Sequence, residues 1–417
     1  FGDGLISAFL LLGSVLITAT LTLPMFLWLS ISLIMKFRFK NPLAQWFLAD
    51  SKQQINSLSV SLMALLIALS VNIGVGGMVE SFRKTFVGWL DQRLVSEVYI
   101  TASDIETAAS VLTYLDKKVD TILPIVTVSK KIKDNLVEIY GFTPHKTYED
   151  HWPLISSTEE TWEKIKQNKG LLINEQLWRR LDLKIGDWLS FDNVREKNMR
   201  LEILGVYSDY GNPKGQVMLP LELFEGYFSD VPQLRFAIRM KNNLAPELIK
   251  NVQSKFISDE ISITNQNKIK KISLKIFDKT FTITTALSLL TLGVAGIALF
   301  TSITTLSDNR NSQLAPLWAM GVQRHKLALL EALRALMLAS LTFIFAVPIG
   351  LVVVFILTNY VNLEAFDWKL PIYYFPHQWL ELFAISFIMT ALSILFHSIK
   401  LSKASPADLL RASSYAI

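Results

Sequence analysis

The chain has 417 residues, 51% of them hydrophobic and 18% charged, with a mean hydropathy of +0.35 and a formal net charge of +5. That balance places it among membrane proteins. It contains no cysteine, which excludes a disulfide framework, a thiol nucleophile and thiolate metal sites.

The chain opens on Phe1, and residues 1–10 lack the basic start and small-residue cleavage site of a signal peptide, so the expectation is a fragment with an upstream portion missing. Crossing the hydrocarbon layer takes roughly 20 helical residues. Five runs qualify: Leu5–Met35, Leu58–Val79, Phe281–Leu306, Leu327–Tyr360 and Trp379–Ile399. Pro24 and Pro348 lie inside the first and fourth runs and predict kinks. Gly74, Gly76 and Gly77 suit close helix packing, local unwinding or the interfacial end of a span.

The linkers set the direction. Lys36, Arg38, Lys40 and Lys52 stand against Asp50; Arg310, Arg324 and Lys326 against Asp308; and Lys400, Lys403 and Arg411 against Asp408. All three basic segments fall on one side of a five-span topology, which marks that side as cytoplasmic. Charge placed in this way argues for topology, and no nucleic-acid partner is expected. The remaining short loop, Val361–Gln378, is not basic, and the aromatics Trp368, Tyr373, Tyr374, Phe375 and Trp379 in and beside it fit an interfacial belt.

Residues 81–279 lie outside the cytoplasm in this topology and read as an α+β domain. Strands are predicted over Glu97–Thr101, Thr121–Val128, Val137–Phe142, Gly170–Asn174, Trp188–Phe191, Arg200–Ser208, Gln216–Leu219 and Leu234–Met240. Helices are predicted over Ile105–Lys118, Glu175–Leu181 and Pro246–Lys255, with a turn at Gly186-Asp187. The second span's apolar spacing runs on past Gly77, which predicts a helical stalk.

Catalytic signatures are absent from the sequence. It has no G-x-x-x-x-G-K-[ST], no H-E-x-x-H and no G-x-S-x-G. His145, His151, His325, His377 and His397 are scattered, and carboxylates such as Glu149, Asp150, Glu159 and Glu160 read as a solvated face. No catalytic, cofactor or metal residue is expected. Two features remain. Glu331 and Arg334, at i,i+3 in the fourth run, share a helix face. A charge at membrane depth is costly and points to function, while snorkelling to the nearby cytoplasmic interface accounts for the pair equally well. The segment from Ser307 to Gly321, S-D-N-R-N-S-Q-L-A-P-L-W-A-M-G, is too short for a domain and too apolar for a solvated tether. Leu314, Leu317, Trp318 and Met320 need a surface, and the expectation is that another protein supplies it.

The order of these parts, with the segment R-N-S-Q-L-A-P-L-W-A-M-G-V-Q-R, resembles the FtsX/MacB-type permeases of ABC transporters (type VII, the mechanotransmission type). In that family the segment runs R-x-x-E-I-A-L-L-R-A-L-G-A-x-R. Arg310, Leu314, Leu317, Ala319, Met320, Gly321 and Arg324 match it, while Gln313 stands for the usual acid, Trp318 for the usual Arg, and Pro316 breaks the segment. Gly170 to Phe191 resembles the family's core-domain pattern, and Ser405 to Arg411 its closing P-x-x-x-L-R.

The resemblance implies a helical transmembrane protein with an inserted extracytoplasmic α+β domain of the MacB-like periplasmic core type, in the bacterial plasma membrane. The leading span resembles a linker span of the ten-span subgroup (the YbbP or AttF type), of which this chain would be the C-terminal half. The organisation is then a linker span over 1–40, a cytoplasmic amphipathic helix over 41–56 capped by Asn41 and Pro42, and a span with the start of a stalk over 57–80. The outer domain over 81–279 follows, then three spans over 280–400 with a coupling loop at 307–326, and a cytoplasmic tail over 401–417. The resemblance further implies a non-catalytic subunit driven by a separate cytoplasmic ABC ATPase, with membrane lipid, a second permease half or subunit and an extracytoplasmic protein as partners. Its cargo would be a lipid, lipoprotein or other amphiphile. A membrane sensor with an outer ligand-binding domain is the alternative, and a lipid-modifying membrane enzyme, lacking any catalytic constellation, ranks last.

Overall fold

The computed structural model describes residues 4–37, 41–132, 135–194, 197–256, 259–305 and 320–403. It divides into two compact units, one of Phe1–Ser81, Phe281–Val361 and Pro371–Ile417, the other of Phe82–Thr280 and Asn362–Leu370. Among the described residues five helices are long and apolar enough to cross a membrane. The first is α1 (Leu5–Met35), which continues through Pro24. Leu23, Leu27 and Ile31 form a fully buried stripe at i, i+4 and i+8, while Ile17, Leu21 and Met25 are exposed on the other side, as a lipid-facing helix requires. Helix α2 (Pro42–Gln53) starts as its sequence dictates: the Asn41 side chain accepts a hydrogen bond from the Leu43 N–H at 2.9 Å, and Pro42 occupies the first turn. Helix α3 (Ile55–Arg93) has 39 residues and is about 58 Å long, well beyond a bilayer core. The predicted continuation past Gly77 is thus one unbroken helix.

In the second unit the chain forms β1 (Val98–Ala102), α4 (Ile105–Leu115), β2 (Thr121–Ile132), β3 (Asn135–Phe142), α5 (Lys146–His151), β4 (Leu154–Ser157), α6 (Thr161–Lys166) and β5 (Gly170–Asn174). It continues through α7 (Glu175–Arg180), β6 (Trp188–Val194), β7 (Lys197–Tyr207), β8 (Gly215–Pro220), α8 (Leu221–Phe228), β9 (Arg235–Arg239), α9 (Ala245–Lys255) and β10 (Ile261–Asn265). One mixed sheet runs in the order β10-β1-β9-β2-β3-β8-β5-β7-β4, with β6 paired to β7. The pairs β3–β8 and β5–β7 are parallel. Alternation along the strands feeds cores on both faces of the sheet. Val137 and Ile139 of β3, Ile173 of β5 and Val217 of β8 pack on one face with α7 and α8. Phe142, Leu172 and Met218 pack on the other with Tyr148, Trp152 and Tyr207. Central strands covered on both faces read as continuous apolar runs, which is why G-L-L-I-N is buried throughout.

The structure corrects several sequence expectations here. The first strand lies one residue later than predicted, and the helix predicted to Lys118 ends at Leu115. β2 extends to Ile132 because Ser129–Lys131 pair with Leu136–Glu138 in a polar hairpin that hydropathy does not reveal. Elements α5, β4, α6, α8 and β10 have no counterpart among the predicted ones. Two of them are six-residue helices, shorter than two turns and too short to show a period. Asn174, at the end of β5, holds the local geometry. Its Oδ1 accepts from the N–H groups of Leu177 (3.1 Å) and Gln216 (2.8 Å), and its Nδ2 donates to the Lys214 carbonyl at 2.9 Å. Asn174→Ala removes a helix cap and leaves these buried backbone groups unmatched, at an expected cost of about 2 kcal/mol. A thermal melt of the purified chain reads this loss; an unchanged melting temperature would mean that the network contributes nothing.

After β10 come α10 (Gln266–Thr305), α11 (Arg324–Ile356), a π-helical turn (Leu357–Val361), α12 (Asn362–Phe366) and α13 (Pro376–Lys403). Hydropathy predicts a third span from Phe281. Its helix begins at Gln266, because the Lys-rich stretch before the span has helical but less apolar character. Pro348 lies within α11, as Pro24 does within α1, and neither ends its helix. The first unit's core gathers α1, α2, α3, α10 and α11. Two polar side chains bond across spans: Asn72 Nδ2 donates to Thr291 Oγ1 at 3.0 Å, and Ser61 Oγ to the Ala298 carbonyl at 3.2 Å. At Gly74 an added Cβ would stand 2.7 Å from Val353 Cβ, so α3 and α11 approach at backbone distance. Of the three readings open for Gly74, the structure shows close packing.

Candidate coupling site

The predicted coupling residues Arg310, Gln313, Leu314, Leu317, Trp318 and Ala319 lie outside the described residues, as do Pro316 and the tail Ser405–Arg411. The far end of the segment is described. Met320 is 73% exposed, and Gly321 has φ 95°, a left-handed conformation that glycine adopts without strain. The chain then enters α11 at Arg324, where the N–H groups of Lys326 and Leu327 donate to the Gln323 carbonyl.

Ten residues further along α11, about 15 Å by helical rise, lies a buried charge cluster. Glu331 is 6% exposed and Arg334 5%. Arg334 Nη2 pairs with the Glu331 carboxylate. Arg334 Nη1 donates to Asp50 Oδ2 on α2 at 2.7 Å. Arg334 therefore bridges two carboxylates, one from its own helix and one from α2. The pair is thus packed within the first unit, against α2. A second tie secures α2, where Lys52 Nζ lies 3.9 Å from the Trp28 ring centre on α1. In the sequence Asp50 reads as a linker charge on the expected amphipathic helix, with no partner indicated. In the fold it lies one turn from Phe47 and next to the fully buried Ser51, on the packed side of α2. An acid on a helix's packed side is the signal that a cation must meet it.

A second arrangement has no counterpart among the sequence expectations. The loop Val361–Gln378 is not a plain connector, because Asn362–Leu370 belongs to the second unit. The Lys369 N–H donates to Glu175 Oε1 at 3.1 Å, and Arg180 Nη2 donates to Asp367 Oδ2 at 2.7 Å. Glu175 is 2% exposed and also binds Arg179 at 2.7 Å. Trp368, expected in an interfacial belt, is 3% exposed and packs edge-on to Tyr210 with ring centres 5.0 Å apart. The motif N-E-Q-L-W-R-R on α7 thus clasps the loop between the fourth and fifth spans. Among the described residues no group of three or more His, Cys, Asp or Glu side chains could hold a metal ion.

Comparison with known proteins matches residues 58–253 to the MacB-like periplasmic core domain and residues 285–406 to the FtsX-like permease C-terminal domain. An uncharacterized ABC transporter permease protein of Mycobacterium tuberculosis is 24% identical over 399 residues, covering 89% of this chain. The chain spans about half (46%) of that relative's length. Similar solved structures include the periplasmic region of MacB from Actinobacillus actinomycetemcomitans (13% identity, 42% of this chain and 92% of that one, TM-score 0.31) and the extracellular domain of the noncanonic ABC-type transporter YknZ from Gram-positive bacteria (12% identity, 41% and 99%, TM-score 0.28). Both domain matches fall in the order that the apolar helices and the mixed sheet set out, and the chain belongs to the FtsX/MacB-like permeases of ABC transporters, multi-pass membrane proteins with an extracytoplasmic domain.

Proposed function

We propose that this permease passes the work of a separate cytoplasmic ATPase subunit, docked on the segment 307–326, to its extracytoplasmic domain, and that the cargo is a lipid, lipoprotein or other amphiphile handled on the outer side. One element carries the reading: α11. It begins within the last residues of the proposed docking segment, carries the buried Arg334 bridge to α2, and leads through Leu357–Val361 into the loop clasped by Glu175 and Arg180. A displacement of the docking segment then biases two arrangements of one continuous helical path. ATP binding and hydrolysis act by contacting that segment differently in the two states. Membrane lipid surrounds the spans, and a second permease half or subunit completes the assembly.

The test is co-purification of the full-length permease with candidate ATPases. Leu317→Asp with Trp318→Asp places two carboxylates where apolar contact is proposed. The expected result is loss of ATPase association and at least a tenfold fall in permease-stimulated ATP turnover, with the permease itself still monodisperse. Unchanged association and turnover would remove the segment from the coupling role.

A further inference from the structure

The extracytoplasmic domain contains a partly open cavity of about 430 Å3, lined by residues of the second unit alone. Its position follows from strand alternation. Val98, Ile100 and Ala102 of β1 pack with α4 and α9, so Tyr99 and Thr101 face the opposite side of the sheet. There they line the cavity with Tyr140, under the last turns of α3. The size lies in the range of small-molecule sites, about 300–1,000 Å3.

Three independent observations indicate what it holds. First, Arg93 Nη1, Ser96 Oγ and Trp152 Nε1 are buried and have no hydrogen-bond partner among the described residues, and all three side chains line this cavity. Ser96 is 1% exposed and Trp152 8%. Native interiors leave few polar groups unmatched, and three donors around one cavity call for an acceptor from outside the chain. Second, the lining includes Arg93 and Arg235 and no carboxylate. Arg93 Nη2 pairs with the buried Asp209 at 3.6 Å and donates to Gln216 Oε1 at 3.4 Å, so Nη1 is the unmatched arm, and the guanidinium lies 4.4 Å from the Trp152 ring centre. Third, the remaining wall is aromatic and aliphatic, from Trp89, Leu90, Tyr148 and Ile269 among others. Burial also pushes the Tyr99, Tyr140 and Tyr148 phenols up, so they stay neutral and add no negative charge to the cavity.

We propose that this cavity binds an organic oxyanion, a carboxylate or phosphate carried on an apolar body, with its oxygens on Arg93, Ser96 and Trp152 and its body against the aromatic wall. The site needs no ATPase and stands or falls apart from the coupling reading. The test uses the full chain in phosphatidylcholine nanodiscs, titrated with octanoate, octyl phosphate, octanol and octyltrimethylammonium, with empty discs as the partition control. At least one of the two anions is expected to bind tenfold or more tighter than both octanol and the cation. Which anion leads separates a carboxylate ligand from a phosphate one. Ser96→Ala and Trp152→Phe each delete one unmatched donor. Each is expected to weaken the preferred anion about 2–10-fold without lowering the melting temperature of the unliganded protein. The proposal is overturned if neither anion outbinds octanol and the cation, or if both variants bind the preferred anion as tightly as the native chain.

Discussion

Arg334→Ala is expected to destabilise the permease by about 3–5 kcal/mol, the usual loss when one partner of a buried ion pair is removed. The substitution strands two carboxylates. Glu331, 6% exposed on α11, and Asp50, whose side chain is 14% exposed, both lose the guanidinium, which Asp50 met at 2.7 Å. Neither acid can escape without moving its helix. Arg334→Lys keeps the charge but replaces a two-armed fork by a point charge, so it cannot reproduce both contacts and falls between the native chain and Arg334→Ala. The triple variant Asp50→Asn, Glu331→Gln, Arg334→Met removes all three charges together. It is expected to be more stable than Arg334→Ala, because desolvation of the ions is no longer required. Melting temperatures in one detergent order the four proteins. If Arg334→Ala melted with the native chain, the cluster would be solvated and could not tie α2 to α11.

That cluster also shows what the sequence carried and what it did not. Its helical half, Glu331 and Arg334 at i,i+3, was legible because helical spacing places both on one face. Its other half was not, since Asp50 lies 284 residues away and no local pattern reports such a pairing. The five spans were legible because about 20 consecutive apolar residues match the thickness of a bilayer core and exceed what a buried helix of a soluble domain needs. Helix ends were less so. α3 and α10 leave the apolar windows and continue through residues that are helical in spacing but mixed in polarity, such as Ile272 to Lys279. The clasp on Asn362–Leu370 was hidden more deeply. Glu175 and Arg180 look like ordinary charges on a short helix, and Arg180 meets Asp367 across 187 residues of chain. For the segment 307–326, family resemblance is the source of the proposed role, and spacing alone indicated only an apolar surface in need of a partner.

Gly350→Val is expected to cost about 3 kcal/mol, at the upper end of the range for overpacked cores, and to impair coupling as well. A Cβ at Gly350 would stand 2.6 Å from Ile73 Cβ and 3.2 Å from the Ser70 carbonyl oxygen. Neither neighbour can swing aside, since one is a branch point on α3 and the other is backbone. The contact continues at Gly74, where Val353 Cβ would lie 2.7 Å from an added Cβ, and is reinforced by Ser70 Oγ donating to the Ala346 carbonyl at 3.4 Å. Small residues on both helices thus set the distance between α3, which continues into the extracytoplasmic domain, and α11, which leaves the proposed docking segment. Ile73→Ala should not rescue Gly350→Val, because the Ile73 Cβ itself is in the way. Gly293→Ala is the control: nothing lies within 4 Å of its added Cβ, and alanine's better helix propensity predicts a gain of up to about 1 kcal/mol. Both variants are compared by melting temperature and by ATPase stimulation. A Gly350→Val protein that kept native stability would mean that the two helices can separate freely, and a lever built on their contact would then have no fixed fulcrum.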